Sequence, residues 1–320
     1  MKYWWILIVF LIGCEFIDQP AHFESVVNDE GSVSGVYFCP RDDCSEVLSD
    51  FILSASESVH CAFYELNLEN VISALEEQNE KIDVKLVLDD RKGFEGDYIV
   101  LENKSSYMHD KFCIVDGSRV ITGSMNPTFN GDEKNNNNLL IVESSVIANN
   151  YEEEFEELWN GIYSKGGKTK VPVVYLDGVK IKNYFCPEDE CGEKLEEVID
   201  SASSNIKFLL FSFTHNEIAN SMLMRMQDGV SVQGVFEKRG AGGQYSKFKL
   251  FEYQGADVKK DNNNATMHHK VIIIDDSIVV TGSFNPSKNA DTVNDENILV
   301  IYDPEIASLY LEEFDYVWNS

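Results

Sequence analysis

Apolar residues recur along the first half of the chain with two alternating periods. Val47, Leu48, Phe51 and Ile52 recur at the spacing of one helix face, which predicts a helix after the first Cys pair. Shorter runs rich in β-branched residues predict strands, with a further helical segment between the first two. These predicted strands are Val59–Phe63, Asp83–Leu88, Phe112–Val115, Arg119–Thr122 and Leu139–Val142. Strands and helices mixed in this way indicate an α/β fold.

The same pattern returns in the second half of the chain. Leu195, Val198 and Ile199 repeat the helical spacing, and the later strands are predicted at Val271–Ile274, Ile278–Thr281 and Ile298–Ile301. Each half ends in a predicted amphipathic helix, Val146–Trp159 or Pro304–Trp318. We interpret the acidic run 152–154 in the first of these helices as a solvated face.

Individual motifs repeat in register. Tyr37–Cys44 returns as Tyr184–Cys191 after 147 residues, and His109 returns as His268 after 159 residues, so the second copy is twelve residues longer. The chain is therefore predicted to contain two duplicated lobes, residues 35–162 and 183–320. The segment between them, 163–182, is rich in Gly and Lys near its start and is predicted to be a flexible linker.

The amino terminus is predicted to be an export signal. An apolar run of eleven residues, Tyr3–Gly13, is too short to span a bilayer, which takes about 20 residues. It ends at Cys14 in a sequence that resembles a bacterial lipobox, so residues 1–14 are predicted to be a signal whose Cys14 is lipidated. A plain signal peptide or short anchor is the alternative. Residues 15–34 carry acidic side chains but no Lys or Arg, and they are predicted to be a solvated tether of an exported, membrane-anchored protein.

Composition narrows the possible functions. The 320 residues include 55 Asp and Glu but 26 Lys and Arg, a formal net charge of −29. This charge excludes a protein that binds nucleic acid through a broadly basic surface, but not one with a small positive cleft. The apolar fraction of 43% also excludes a disordered acidic chain.

Candidate chemistry lies at the repeated His-x-Lys segments, His109 with Lys111 and His268 with Lys270. On a strand, residues two apart lie on the same face, so each pair places an imidazole beside an ammonium group. Each pair is followed by a Gly-Ser-x-Asn segment whose side chains can donate hydrogen bonds. These four side chains are Ser124, Asn126, Ser283 and Asn285. Such a set suits a phosphodiester: cations and amides bind its oxygens, one His attacks phosphorus and the other protonates the leaving oxygen.

The doubled H-x-K-x4-D…G-S-x-N pattern resembles the phospholipase D superfamily, from about residue 36 to the end. In size the chain looks most like the small nuclease branch. The resemblance implies two lobes, each a mixed β-sheet flanked by helices, packed about a pseudo-twofold axis with one active site between them. It also implies a phosphohistidine intermediate and no metal or other cofactor. Asp116 and Asp275, the motif carboxylates, are expected to be structural. Because one chain holds both half-sites, we expect a monomer.

The two motifs differ at one position. Glu296 follows His268 by 28 residues, and Asn137 stands at the corresponding place after His109. We predict that Glu296 pairs with His268, making it the general acid and then base. Asn137 is predicted to pair with His109, the nucleophile. We also predict that Asn137, Ser124 and Ser283 bind substrate.

The cysteines outside this site form two Cys-Pro-x3-Cys segments, Cys39 with Cys44 and Cys186 with Cys191. In an exported protein each pair can form a disulfide; a shared four-Cys zinc site and free thiols are the alternatives. Cys61 and Cys113 align with Phe208 and Ile272 and are predicted to be core residues. Three further histidines, His60, His215 and His269, are predicted to lie outside the catalytic site.

The substrate is less closely defined than the reaction. An endonuclease acting on DNA or RNA is our first hypothesis, a phospholipase D-type phospholipid hydrolase or transferase is the second, and a non-catalytic binding module is the third. Basic residues expected near the cleft are Arg91, Lys92, Lys104, Lys134, Lys238, Arg239, Lys247, Lys249, Lys259 and Lys260.

Overall fold

A computed structural model of the chain describes residues 25–89, 96–102 and 106–320. The signal and lipidation site predicted at residues 1–14 lie outside the described residues, as do Arg91, Lys92 and Lys104. Within the described part, none of the helices is long and apolar enough to cross a membrane.

The first lobe alternates strands and helices, as its sequence pattern predicts. Its strands are β1 Val26–Asp29, β2 Ser32–Cys39, β3 Ser58–Phe63, β4 Asp83–Leu88, β5 Ile99–Leu101, β6 Lys111–Val115, β7 Arg119–Gly123 and β8 Asn137–Glu143. Its helices are α1 Cys44–Leu53, α2 Glu69–Asn79, α3 Phe129–Glu133 and α4 Ser145–Trp159.

The second lobe repeats this order. Its strands are β9 Val173–Leu176, β10 Val179–Cys186, β11 Asn205–Leu210, β12 Ser231–Phe236, β13 Asp257–Lys260, β14 Lys270–Ile274, β15 Ile278–Gly282 and β16 Glu296–Tyr302. Its helices are α5 Cys191–Asp200, α6 Asn216–Gln227, α7 Phe248–Gln254, α8 Lys288–Thr292 and α9 Pro304–Asn319. The residues added in this copy lie between β12 and β13, where they include α7.

Each lobe is built on a mixed sheet, which confirms the predicted α/β class and duplication. The first sheet has the strand order β2-β8-β7-β6-β3-β4-β5, and the second has the order β1-β9-β10-β16-β15-β14-β11-β12-β13. In both sheets the motif strand, β6 or β14, is central and runs antiparallel to its two neighbours. Each of these strands begins at the motif lysine, so the histidine predicted to share the strand lies just before it. A central strand is held on both edges, which fixes the lysine firmly.

The amino-terminal strand β1 belongs to the sheet of the other lobe. It pairs in parallel with β9, with Val26 opposite Val173. The prediction of a solvated tether is therefore wrong from residue 26 onward, because these residues complete a sheet edge. The predicted linker is likewise partly ordered, since it contains β9 and the start of β10. Asp29 also binds the first lobe, where its carboxylate accepts hydrogen bonds from Ser144 Oγ at 2.7 Å and Val146 N at 3.1 Å.

The closing helix α4 is more deeply buried than its acidic sequence suggests. Tyr151 and Phe155 are fully buried in a cluster that also contains Phe185 and Leu299 of the second lobe. Glu154, predicted to be solvated, is 6% exposed because it lies on this packed side of the helix. The two lobes therefore share one apolar core along α4.

Three cysteine pairs are bonded. Cys39–Cys44 and Cys186–Cys191 form the disulfides that the Cys-Pro-x3-Cys pattern allows, rather than the zinc site or free thiols. The prediction that Cys61 and Cys113 are simple core residues is incomplete. They are buried, but they also face each other across β3 and β6 and form a third disulfide. The second lobe has Phe208 and Ile272 in these places, so this crosslink has no counterpart there.

Candidate active site

The segments that lead into the two motifs are each held by the opposite lobe. His109 N donates to Asp295 O at 2.9 Å, and Asp295 N donates to Tyr107 O at 3.0 Å. In the reciprocal contact, His268 N donates to Asn136 O at 2.9 Å, and Asn136 N donates to Thr266 O at 3.0 Å. The two histidines therefore face one site between the lobes, related by an approximate twofold axis.

The side-chain partners of the two histidines are also crossed between the lobes. His109 Nδ1 lies 2.7 Å from Glu296 Oε2, and His268 Nδ1 lies 2.8 Å from Asn137 Oδ1. The predicted pairing was the reverse and is wrong. It assumed that each histidine takes its partner from its own lobe, whereas the strands β8 and β16 present these side chains across the interface.

These contacts fix which ring nitrogen faces the site. Asn137 Oδ1 and Ser124 O, at 3.1 Å, both accept, so His268 carries its hydrogen on Nδ1. The carboxylate of Glu296 fixes the same tautomer in His109. Each neutral ring therefore presents the lone pair of Nε2, and Lys270 Nζ lies 3.0 Å from Nε2 of His268.

The two motif lysines form a buried positive centre. Lys111 is 1% exposed and Lys270 is 3% exposed, and each Nζ donates to the carbonyl of its own motif histidine, at 2.6 and 2.7 Å. Burial lowers the pKa of Lys111 to about 8 and the pKa of Lys270 well below its usual value, where repulsion from Lys111 adds to the effect. Burial and the lysine charges also lower the pKa of both histidines. Such a centre favours an incoming anion.

Glu296 is held as firmly as the histidine that it contacts. Ser283 Oγ donates to Glu296 Oε2 at 2.7 Å, and Asn294 Nδ2 donates to Oε1 at 3.3 Å. Burial raises the pKa of Glu296 to about 7, and the lysines oppose this rise. An anionic Glu296 compensates part of the lysine charge.

The motif serines act inside the protein in this conformation, instead of facing substrate as predicted. Both are fully buried; Ser283 donates to Glu296, and Ser124 Oγ donates to Asn138 Oδ1 at 3.1 Å. Asn137 differs from its predicted substrate role in the same way, because its amide contacts His268 and Gly131 O. The glycine before each serine is required: at Gly123, where φ is +152°, a Cβ would lie 2.2 Å from Asn138 O.

The motif asparagines remain suitable for substrate binding. Asn126 Nδ2 lies 3.4 Å from Glu65 Oε2. Its Oδ1, and that of Asn285, are buried and accept no hydrogen bond from the described residues. Both amides follow the strand ends that carry the serines, so their side chains lie at the edge of the positive centre.

A second pair of asparagines, which the sequence reasoning missed, locks the lobes together. Asn138 Nδ2 donates to Thr281 Oγ1 at 2.9 Å and to Tyr310 OH at 3.0 Å. Asn297 makes the equivalent bonds to Thr122 and Tyr151, both at 2.9 Å. The available signal was the repeat itself, because Asn138 and Asn297 match at the same 159-residue offset as the motifs.

Aromatic rings beside the histidines were also missed. The Tyr64 ring lies 5.0 Å from the His109 ring, and Phe211 lies 4.7 Å from His268. Each aromatic ring also faces the motif lysine of its lobe, at 5.3 and 5.0 Å. They too match in the repeat, at the 147-residue offset. On the His109 side the aromatic surface continues to Tyr107, whose ring lies 5.5 Å from that of Tyr64.

The motif aspartates bind the backbone rather than the site. Asp116 accepts hydrogen bonds from the N–H groups of Ser56, Glu57 and Ser58, and Asp275 accepts the corresponding bonds from 203–205. These bonds lower the pKa of both carboxyls, against the opposing effect of burial. Their geometry is that of the structural role expected from the family resemblance.

The other histidines that the structure describes lie away from the positive centre. His269 is fully buried on the opposite face of β14 and contacts Glu313 Oε1 at 2.8 Å. His60 contacts Glu152 at 2.8 Å and stacks on Phe155. His215 begins helix α6, where its ring accepts from Ile218 N.

The basic residues expected near the cleft are dispersed. Lys134 and Lys238 both lie beside Asn263, which donates to the Lys134 carbonyl and accepts from the Lys238 ammonium. Lys259 and Lys260 lie over the rings of Trp318 and Phe248. Lys247 donates to Asn216 Oδ1. Among the residues that the structure describes, Lys111 and Lys270 are therefore the basic side chains at the centre of the site.

Comparison with known proteins identifies the family to which this site belongs. The sequence model described as cardiolipin synthase, PLD-like domain, matches residues 48–159 and 195–318, one match in each lobe. The chain belongs to the phospholipase D superfamily. Its crossed histidine, lysine and asparagine residues are those that carried the resemblance to this superfamily in the sequence.

Relatives within the phospholipase D superfamily match about one lobe. The mitochondrial cardiolipin hydrolase of Chlamydomonas reinhardtii is 30% identical over 141 residues, which are 43% of this chain and 63% of that protein. A phospholipase D of Rickettsia conorii is 30% identical over 139 residues, 43% of this chain and 70% of that protein. The chain thus spans less than two thirds of the length of the Chlamydomonas relative.

Some solved structures match nearly the whole chain, and others match about one lobe. Phosphatidylserine synthase from Haemophilus influenzae Rd KW20 covers 91% of this chain and 88% of its own, with a TM-score of 0.71 and 13% identity, which shows the two-lobed phospholipase D fold alone. Nuc, a phospholipase D family member from Salmonella typhimurium, is 34% identical and covers 43% of this chain and 93% of its own, with a TM-score of 0.42.

Proposed function

We propose that the protein is a metal-independent phosphodiesterase that works through a phosphohistidine. The observation that carries the proposal is the crossed pair of histidines, each fixed at Nδ1 by the opposite lobe and each presenting Nε2 beside two buried lysines. A phosphodiester bound there places its non-bridging oxygens against Lys111 and Lys270. Charge that is fixed in advance stabilises the additional negative charge of the transition state.

His109 is the nucleophile in this proposal, for a reason opposite to the one drawn from the sequence. A carboxylate that accepts the Nδ1 hydrogen increases the electron density at Nε2, and Glu296 does this for His109. The Asn137 amide stabilises a charged imidazole less than a carboxylate does, so protonated His268 releases its proton more readily. The role assignment is therefore unchanged although the predicted partners were exchanged.

The reaction consists of two displacements at phosphorus. The bound phosphodiester anion favours a proton on Nε2 of His268. Nε2 of His109 then attacks phosphorus, the P–N bond forms, and the P–O bond to the leaving group breaks as protonated His268 donates its Nε2 proton to that oxygen. Water then attacks phosphorus from the opposite side, giving its proton to His268, and the P–N bond breaks. The products are an alcohol and a phosphomonoester, and both histidines return to their starting protonation states.

The intermediate provides a direct test. Substrate is mixed with enzyme, the reaction is quenched in alkali, where phosphohistidine survives, and peptides are mapped by mass spectrometry. We expect phosphate on His109, and none on that peptide in His109→Ala. Phosphate on position 268 would reverse the two roles, and no phosphopeptide during steady turnover would contradict covalent catalysis.

Nucleic acid is the substrate class that we propose. Its support is the aromatic surface beside His109: Tyr107 is 52% exposed and continues through Tyr64 to the histidine ring. Bases of single-stranded nucleic acid stack on such rings, each contributing about 1–3 kcal/mol. The second lobe has Thr266 at the position of Tyr107, so the surface flanks one half-site. We therefore propose an endonuclease that cleaves DNA or RNA.

Phospholipid hydrolysis is the second candidate, and the relatives favour it. The curated proteins that match one lobe are called cardiolipin hydrolase and phospholipase D. The same phosphohistidine step serves a lipid diester equally well. The Tyr107 surface distinguishes the two candidates, because it provides stacking for a base and little for a lipid headgroup.

A substrate panel in EDTA tests the choice. Plasmid DNA, single-stranded RNA, and vesicles of phosphatidylcholine with cardiolipin are each offered to the protein, to Tyr107→Ala, and to Tyr253→Ala as a control at an exposed distant ring. We expect nucleic acid cleavage that falls about tenfold in Tyr107→Ala alone. Turnover confined to vesicles would support the lipid candidate. Tight binding without turnover of any substrate would leave a non-catalytic binding module.

Export and membrane attachment are a further proposal, supported by the apolar run and Cys14 in the sequence. A diacyl anchor on Cys14 would hold the enzyme on the outer face of the cytoplasmic membrane or another extracytoplasmic surface. Metabolic lipid labelling that disappears in Cys14→Ala is the expected result, and labelling that persists would contradict the proposal. We also propose a monomer, since both half-sites lie in one chain; a mass measured by light scattering tests it.

A further inference from the structure

A guanidinium group neutralises a buried carboxylate near the second-lobe motif. Glu313, on helix α9, is 1% exposed and is contacted by a guanidinium and an imidazole. Arg41 donates to its Oε2, and His269 lies 2.8 Å from its Oε1. The guanidinium also lies 4.0 Å over the ring of Tyr316. Arg41 comes from the first lobe, directly after its Cys-Pro pair, so this contact joins the lobes.

The repeat gives the matching position near the first-lobe motif, and there both the guanidinium and the imidazole are replaced by acids. At the 159-residue offset of the repeat, Glu154 corresponds to Glu313 and Asp110 to His269. At the 147-residue offset, Glu188 corresponds to Arg41. Glu157 stands in the place of Tyr316. A site that holds one carboxylate, one guanidinium, one imidazole and one phenol in one half therefore holds four carboxylates in the other.

In three of these carboxylates, oxygens lack hydrogen-bond partners, whereas Glu157 accepts a hydrogen bond from Gly167 N at 3.0 Å. Both oxygens of Asp110, and Oε2 of Glu188, are buried and accept no hydrogen bond from any residue that the structure describes. Glu154 is 94% buried, and the described residues donate no hydrogen bond to it. Burial and mutual repulsion raise the pKa of Asp110 and Glu154 well above the usual value and that of Glu188 to about 7. A buried carboxylate is stabilised either by taking up a proton, as these raised pKa values indicate, or by a paired cation, and the described residues supply no cation in the place of Arg41.

A cavity stands where that cation would lie. It has a volume of about 430 Å³ and is lined by Glu154, Glu157, Phe185 and the linker segment 167–170. Phe185 corresponds to Phe38, whose ring faces Arg41 in the other half. The two lysines that line the cavity are 64% and 73% exposed, and their charges are paired with Glu190 and Glu153.

We propose that this cavity binds an organic cation with a guanidinium or primary ammonium group, which occupies the position that Arg41 fills in the other half. An organic cation fits better than a metal ion, because no three His, Cys, Asp or Glu side chains among the described residues are grouped to hold one. The volume and the Phe185 ring suit a ligand with an apolar stem. Asp110 does not line the cavity, but its charge repels that of Glu154, so a bound cation would also stabilise the segment that carries His109 and Lys111.

Agmatine, which carries both cationic groups, is the probe for a binding test. Isothermal titration of the full chain at pH 7.5 should show one site. Glu154→Gln should weaken binding at least about tenfold, since hydrogen bonds to charged groups are the stronger ones. Glu188→Arg should abolish binding and raise the melting temperature without ligand, because it supplies the missing guanidinium from the chain itself.

The control separates this site from the general acidity of the protein. Glu252→Arg, at an exposed position on α7, makes the same charge change and should leave agmatine binding intact. Absence of single-site binding, or unchanged binding in Glu154→Gln, would overturn the proposal. So would Ca²⁺ binding that requires Glu154 while agmatine has no effect. These readouts do not depend on catalysis, so the proposed phosphodiesterase activity can fail without affecting them.

Discussion

The two half-sites share one backbone frame but differ in the groups around the reacting rings. His109 has a carboxylate at Nδ1 and a tyrosine beside it, whereas His268 has an amide at Nδ1 and a phenylalanine beside it. The reciprocal hydrogen bonds to Asp295 and Asn136 are the same within 0.1 Å. Duplication therefore fixed the geometry, and single substitutions on that frame separate the chemical roles.

Neither half-site is complete within its own lobe. The Nδ1 partner of each motif histidine, and the asparagine that binds each closing helix, come from the opposite lobe. A change at Glu296 is therefore a change to the His109 half-site. Because the half-sites are crossed, substitutions in the two lobes should differ in effect.

The largest contrast is between the histidines. His109→Ala and His268→Ala should each reduce phosphodiester turnover at least about 10⁴-fold, because the two groups act as a unit. With a p-nitrophenyl leaving group, which needs no proton, His268→Ala should recover about 100-fold in the first step and His109→Ala should not. Release of p-nitrophenol in stopped flow measures this. Recovery in His109→Ala instead would exchange the roles of the two lobes.

The lobes also differ in covalent crosslinks, and this difference predicts the next largest effect. The Cys61–Cys113 disulfide closes a sequence separation of 52 residues, whereas Cys39–Cys44 closes 5. Chain entropy then predicts that Cys61→Ala/Cys113→Ala lowers the free energy of unfolding by about 4 kcal/mol, and Cys39→Ala/Cys44→Ala by about 2 kcal/mol.

Denaturant unfolding of both double variants under non-reducing conditions measures the two losses. The short loop serves as the matched control, because both variants remove one disulfide from the same lobe. Equal losses would show that the length of the closed loop does not determine the stabilisation. An unchanged free energy of unfolding in Cys61→Ala/Cys113→Ala would show that this disulfide does not stabilise the protein.

The acceptors at Nδ1 give the third prediction. Glu296→Gln should reduce turnover about 100-fold, because His109 loses the carboxylate that activates it. Asn137→Asp should reduce turnover about tenfold, because a carboxylate makes protonated His268 a weaker acid. Glu143→Gln, at the exposed end of the same strand as Asn137, is the control.

A pre-steady-state experiment locates each defect. Glu296→Gln should slow formation of the phosphoenzyme even with a p-nitrophenyl leaving group, and Asn137→Asp should slow it mainly with a poor leaving group. If both variants behave alike, the carboxylate and amide do not separate the two roles.

Much of this arrangement follows from sequence, and the exceptions have a common cause. Periodicity predicted the strands that carry Lys111 and Lys270, and the repeat predicted that both motifs meet. The pairing of Glu296 was predicted wrongly because spacing along a chain does not report which lobe faces a side chain. The same limit applies to Glu154 and to β1, since an acidic sequence gives no sign of the neighbour that buries it.

The smallest expected effect comes from the different surroundings of the two motif lysines. It appears in the pH dependence of kcat/KM. Each lysine must carry its proton to bind phosphate. Burial lowers the pKa of Lys111 to about 8, and Lys270, repelled by Lys111, also has a pKa well below its usual value. As pH rises through these values the site loses positive charge. For the Lys111 titration alone, kcat/KM at pH 9 should be about tenfold below its value at neutral pH.

Arginine substitutions identify which lysine sets this decline, because a guanidinium stays charged throughout the range. Lys270→Arg should move the alkaline decline upward until Lys111 limits it, at a pH of about 8. Lys111→Arg should move it less, because Lys270 stays buried beside a second cation and its pKa stays lowered. Lys81→Arg, whose side chain is 54% exposed, is the control and should leave the profile unchanged. An equal upward shift in both motif variants would show that the two lysines titrate as one coupled pair, and would remove this difference between the lobes.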